Sequence, residues 1–94
     1  MMTRQIRVRG RVQGVGFRDA LCEQAERAGL TGWVRNRSDG TVEALLQGDA
    51  QGVEAVLAWA RRGPAAARVS DVEAGAADPE FDRPYARFER WPTA

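Results

Sequence analysis

Residues 31–47, TGWVRNRSDGTVEALLQ, decide the fold. Thr31 to Asn36 and Thr41 to Gln47 are strand-length runs, and Arg37-Ser38-Asp39-Gly40 between them is a turn in which Gly40 can take the positive φ of a bulged hairpin. Along the second run Val42, Ala44 and Leu46 share one face. Upstream, Leu21, Ala25 and Ala28 recur at helical spacing, with Asp19, Glu23, Glu26 and Arg27 on other faces and Gly29 placed to close the helix. Downstream, Val53, Val56, Leu57 and Ala60 form a second helical stripe. Asp49 stands where a cap belongs, Arg61 and Arg62 suit the C-terminal dipole, and Gly63-Pro64 stops the helix.

Further out, Gln5 to Val12 alternates, with Ile6, Val8 and Val12 pointing one way and Arg7, Arg9 and Arg11 the other, as in a half-buried strand. A fourth strand is expected near Arg68 to Glu73, although Val69 and Val72 do not share a parity. Gly75 to Pro84 reads as a surface loop, and Tyr85 to Trp91 as a last strand that carries Phe88 inward. The order β-α-β-β-α-β plus a short terminal strand predicts an α+β, ferredoxin-like sandwich, an antiparallel sheet with both helices on one face. The 94 residues form one expected domain, 1–94.

Composition narrows the chemistry. Fourteen basic residues, all Arg, and thirteen acidic ones leave a charge of +1, which exerts no general pull on nucleic acid or anionic membrane. Every cationic site is therefore a planar fork suited to phosphate or carboxylate. Histidine is absent, which excludes His-based acid/base catalysis, the Ser-His-Asp triad and nearly all catalytic zinc sites. The single Cys22 excludes an internal disulfide, and its place within a helix suggests packing. No apolar run is long enough to span a membrane and the N-terminus lacks a signal-peptide core, so a soluble, cytoplasmic protein is expected.

Between the first strand and first helix lies Gln13-Gly14-Val15-Gly16-Phe17-Arg18. A helix start leaves backbone N–H groups unpaired, and no Ser, Thr, Asp or Asn stands at a plausible cap position here. Gly14 and Gly16 permit a nest of converging amides that could hold a phosphate, with Arg18 adding a two-pronged charge. A plain glycine turn followed by an exposed Arg accounts for the spacing equally well. Known phosphate loops do not fit: a Walker A loop needs a Lys, and the dinucleotide fingerprint needs a glycine where Asp19 stands. Asn36 ends its strand before the turn and could fix a water through its amide, although Asn is also a common turn starter. Trp33 reads as packing, and Arg35 and Arg37 as solvated. The basic stripe Arg7, Arg9, Arg11 raises RNA binding on the sheet, but the aromatic pattern for base stacking is missing.

GRVQGVGFR at 10–18 and GWVRNRSDGTVE at 32–43 resemble the acylphosphatase family, and the likeness extends over about residues 4 to 91. The resemblance implies an acylphosphatase that hydrolyses the carboxyl–phosphate bond of small acyl phosphates, with no metal or other cofactor. It implies a phosphate-binding loop of Gln13, Gly14, Val15, Gly16, Phe17 and Arg18, with Arg18 and Asn36 catalytic and Asn36 orienting the attacking water. A stand-alone monomer with no nucleic acid or membrane partner is expected, rather than an accessory domain of a larger carbamoyl-transfer enzyme or an anion sensor. Two departures stand out. Asp19 and Ala20 follow Arg18 where bulky residues are common, and Arg90 occupies a position usually apolar. Asp19 would offset the field of Arg18 if it turned toward the loop.

Overall fold

A computed structural model describes residues 1–94 as β1 (Met2–Arg11), α1 (Phe17–Arg27), β2 (Thr31–Asn36), β3 (Val42–Gly48), α2 (Ala50–Ala60), β4 (Arg68–Gly75) and β5 (Phe88–Arg90). The strands form one sheet in the order β4-β1-β3-β2-β5. β3 pairs antiparallel with both β1 and β2, and β1 pairs antiparallel with β4. The expected ferredoxin-like plan is therefore present, with an addition at its edge. β5 runs parallel to β2, Gly32 opposite Phe88 and Val34 opposite Arg90, so the five-stranded sheet is mixed.

The main core lies between the sheet and the two helices. Ile6, Val8, Val34, Val42, Ala44 and Leu46 from the sheet meet Phe17, Leu21 and Ala25 from α1 and Val53, Val56 and Ala60 from α2. Apart from Phe17 and Val34, these are residues that period-two and helical spacing placed inward, with Phe88 joining them from β5; Ala28 and Leu57, also expected there, are only partly buried.

Gly29 and Gly40 take positive φ of 72° and 93°, which closes α1 and turns the hairpin as expected. The parity break in β4 has a local cause. Register shifts between Arg9 and Gly10, so that Arg9 faces Asp71 and Gly10 faces Val69, leaving Ser70 as the extra residue of a bulge. Val69 and Val72 both pack toward the core as a result. A Cβ on Gly10 would lie 2.1 Å from the Arg68 carbonyl oxygen, so the bulge requires glycine there.

The opposite face of the sheet departs from the sequence reading. Glu43, Leu45 and Gln47 on β3 are buried, as are Ala44 and Leu46 between them. Trp33, Leu45 and Tyr85 form a second cluster, covered by Ala77, Phe81 and Trp91 from the C-terminal segment. Trp33 and Trp91 stack with ring centroids 4.4 Å apart. The last strand is correspondingly shorter than Tyr85 to Trp91. Tyr85 leaves the β5 line to hydrogen-bond Gln47 and to lie under this roof. Beyond β5, the amides of Trp91 and Ala94 donate to the carbonyls of Val34 and Asn36.

A candidate phosphate-binding active site

β1 and β2 lie on either side of β3 and run the same way, so their C-terminal ends emerge together at the start of β3. The loop after β1 and Asn36 at the end of β2 thereby become neighbours, although the sequence separates them. Both line a cleft of about 190 Å³ formed by Val12, Gln13, Gly14, Gly16, Phe17, Arg18, Asp19 and Asn36. The structure thus brings together six of the seven residues expected at the site. Val15 is the exception, packing against the core instead.

Local packing sets the loop. Gly14 and Gly16 have φ of 74° and 78°, a conformation strained for any residue with a Cβ. Gly16 is the residue before α1, and no side chain caps the helix there. The first amide of the region to find a backbone acceptor is that of Ala20, donating to the Gly16 carbonyl at 3.0 Å. The amides preceding it are left for an external acceptor.

Phe17 is buried, so it contributes an amide while its ring anchors the helix against Trp59, centroid to centroid 5.4 Å. Gln13 reaches across the cleft. Its Nε2 donates to the carbonyls of Arg37 at 2.7 Å and Thr41 at 2.8 Å, tying the loop to the turn after Asn36. The side chain of Gln13 is therefore a strut between the loop and that turn.

That turn is itself fixed. The Arg37 amide donates to the Thr41 carbonyl at 2.8 Å, and the Asp39 carboxylate accepts from the Thr41 hydroxyl at 2.7 Å and amide at 3.0 Å. The two Thr41 hydrogen bonds, hydroxyl first, hold the Asp39 carboxyl below its usual range.

Asp49, expected to cap α2, occupies the cap position but makes no side-chain cap bond. A missing cap therefore does not distinguish the two helices. What sets α1 apart is the pair of left-handed glycines and the convergence with Asn36.

Arg18 makes no ion pair. Arg35 and Arg37 were expected to be solvated and are not. Both bind the buried Glu43 carboxylate, at 2.9 Å and 2.8 Å, and the Arg35 guanidinium lies 5.0 Å from the Trp33 ring centroid. Gln5 and Arg7 donate to the other Glu43 oxygen. Burial pushes the Glu43 carboxyl up, but hydrogen bonds from Arg37, Gln5 and Arg35 and the charge of Arg35 prevail and hold it at about 2. This network fixes the strand that ends in Asn36; Arg35, Arg37 and Glu43 share the β2–β3 hairpin, whereas Gln5 and Arg7 join from β1, and the burial of this face was not visible in the sequence. Arg9 is likewise paired, with Glu73 and Asp71, so the basic stripe on β1 is largely neutralised.

Cys22 packs against the core outside the cleft, and burial, then Glu26 and Glu23, push its thiol up. No group of three or more His, Cys, Asp or Glu side chains is arranged to hold a metal ion, and no helix is long and apolar enough to cross a membrane.

The chain is similar to known proteins over most of its length. The acylphosphatase family model matches residues 4–89. The chain is 51% identical over 88 residues to the acylphosphatase of Paraburkholderia xenovorans strain LB400, covering 94% of this chain and 89% of that one. The crystal structure of acylphosphatase from Bacillus subtilis superposes with a TM-score of 0.86 at 34% identity, covering 97% of this chain and 99% of the other. An acylphosphatase from Coxiella burnetii gives 0.87 at 34% identity, with 95% and 90% covered. With the family model matched over residues 4–89, half of its residues shared with a curated relative and the fold superposing along its length, this chain belongs to the acylphosphatase family.

Proposed function

We propose that the chain hydrolyses acyl phosphates at this cleft, with Arg18 and the loop amides gripping the phosphoryl group and Asn36 orienting the attacking water. The observation that carries the assignment is the convergence of an unpaired Arg, uncapped helix amides and Asn36 on one small cleft. The amides of Gly14 through Arg18 and the Arg18 fork suit three phosphoryl oxygens.

In the reaction, the water oxygen bonds to phosphorus as the bond from phosphorus to the acyl oxygen breaks. The carboxylate leaves with the electron pair, and the water's proton passes to a phosphoryl oxygen. A carboxylate is a good leaving group, so positioning and charge stabilisation carry the catalysis and no strong general acid is required. The absence of histidine is compatible with that division of labour. The same reading has residues 1–94 act as one domain, a cytoplasmic monomer on small-molecule substrates.

Hydrolysis of benzoyl phosphate, with chelator present, tests the assignment in wild type, Arg18→Ala and Asn36→Ala. Arg18→Ala is expected to lower turnover by roughly 10²- to 10³-fold. Asn36→Ala is expected to depress turnover while leaving phosphate binding largely intact. Unchanged turnover in either variant removes that residue from the mechanism.

A further inference from the structure

Asp19 and Arg90 meet in the structure: the Asp19 carboxylate accepts a hydrogen bond from the Arg90 guanidinium. They lie 71 positions apart in sequence, on α1 and β5. Strand alternation explains the meeting. Phe88 enters the core beneath the helices, and Arg90, two residues on, projects from the same face at the sheet's edge beside the first turn of α1.

Asp19 follows Arg18 directly and lines the cleft. An unpaired carboxylate there would repel an incoming phosphoryl dianion and offset the charge of Arg18. Both members of the pair are more than half exposed, so the bridge contributes little to stability. Its consequence lies in the field of the cleft.

Resting on the function proposed above, we propose that Arg90 is a positioning residue for phosphate binding, which engages Asp19 and cancels its charge beside Arg18. Arg90 itself need not touch the substrate. The arrangement makes Arg90 necessary only because Asp19 is present, and that conditional requirement separates it from an ordinary surface ion pair.

The test is a double-mutant cycle with wild type, Arg90→Gln, Asp19→Asn and the double variant. Inorganic phosphate affinity is measured by calorimetry, and KM and kcat by benzoyl phosphate hydrolysis. Arg90→Gln is expected to weaken phosphate binding and raise KM by about 3- to 10-fold with little change in kcat, as an exposed like charge near a dianion should. Asp19→Asn alone should bind phosphate as well as wild type or better, and should restore affinity in the double variant. In 1 M salt, where the screening length is about 3 Å, the defect of Arg90→Gln should largely vanish.

Unaltered affinity in Arg90→Gln overturns the proposal. So does an Asp19→Asn defect equal to that of Arg90→Gln, which would mark the pair as structural. Either result leaves wild-type turnover and its dependence on Arg18 standing. A wild type that neither binds phosphate nor hydrolyses the substrate instead refutes the functional assignment of the cleft, and this proposal with it.

Discussion

Replacing Glu43 with Gln should expose how much of the fold depends on one buried charge. Glu43 is almost inaccessible, and its carboxylate accepts from Gln5, Arg7, Arg35 and Arg37. Its carboxyl is lowered from 4.5 to about 2. At about 1.4 kcal/mol for each tenfold change in proton affinity, the ionised form contributes about 3 kcal/mol relative to the protonated one. Glutamine imitates the protonated form, so Glu43→Gln should cost about that much at neutral pH, or roughly 10–20 °C in Tm for a domain of this size.

The sign follows from proton counting. Between pH 4.5 and about 2 the unfolded chain binds a proton at Glu43 that the folded chain does not, so wild-type stability from this group falls as pH falls through that window. Urea denaturation followed by tryptophan fluorescence, from pH 7 to pH 2, gives the comparison. The difference between wild type and variant should be constant above pH 5 and shrink toward zero near pH 2. A difference under about 1 kcal/mol at pH 7, or one independent of pH, would refute the assignment of this network as charged and stabilising.

Three further outcomes are expected. Gly63→Ala should destabilise the fold by about 1–3 kcal/mol in urea melts, because φ is 71° and its Cβ would lie 2.8 Å from the Phe17 ring. Its effect should reach catalysis as well, since Phe17 anchors the loop, and an unperturbed KM would count against that anchoring. Gln13→Ala should raise KM severalfold with a smaller effect on stability, because it severs both hydrogen bonds between the loop and the turn beside Asn36. Trp91→Ala should destabilise by about 2–3 kcal/mol and expose Trp33 to solvent, read as a red-shifted emission. A wild-type spectrum would show that the stack does not seal that face.

The hairpin, both helices and the inward face of the sheet were legible because each rests on local periodicity. Val42, Ala44 and Leu46 on β3 declare their face by alternation alone. The second buried face was not legible. Glu43 and Gln47 look like solvent-facing residues, and the side chains that cover this face come from the loop before β5, which supplies Phe81 and Tyr85, and from just beyond it, where Trp91 lies. The parallel pairing of β5 depends on where the chain returns after that loop, which local pattern does not encode.

At the site, the glycines and Arg18 suggested an anion loop, whereas the roles carried to Asn36 and to the individual loop residues came from resemblance. The tether from Gln13, the contacts of Gln5 and Arg7 with Glu43 and the pairing of Asp19 with Arg90 join residues distant in sequence. Each depends on the completed sheet.

That sheet order also dictates when the cleft can exist. The loop leaves β1, whose two neighbours are β3 and β4, and β4 ends only at Gly75. Asn36 ends β2, whose outer edge is closed by β5 and by the Ala94 amide. During synthesis the loop and Asn36 emerge early but wait for the C-terminal segment before their strands are flanked. Such long-range pairing favours a late, cooperative closure over stepwise assembly. A growing chain would carry both motifs well before residues 68–94 are made, and acquire the cleft only after them.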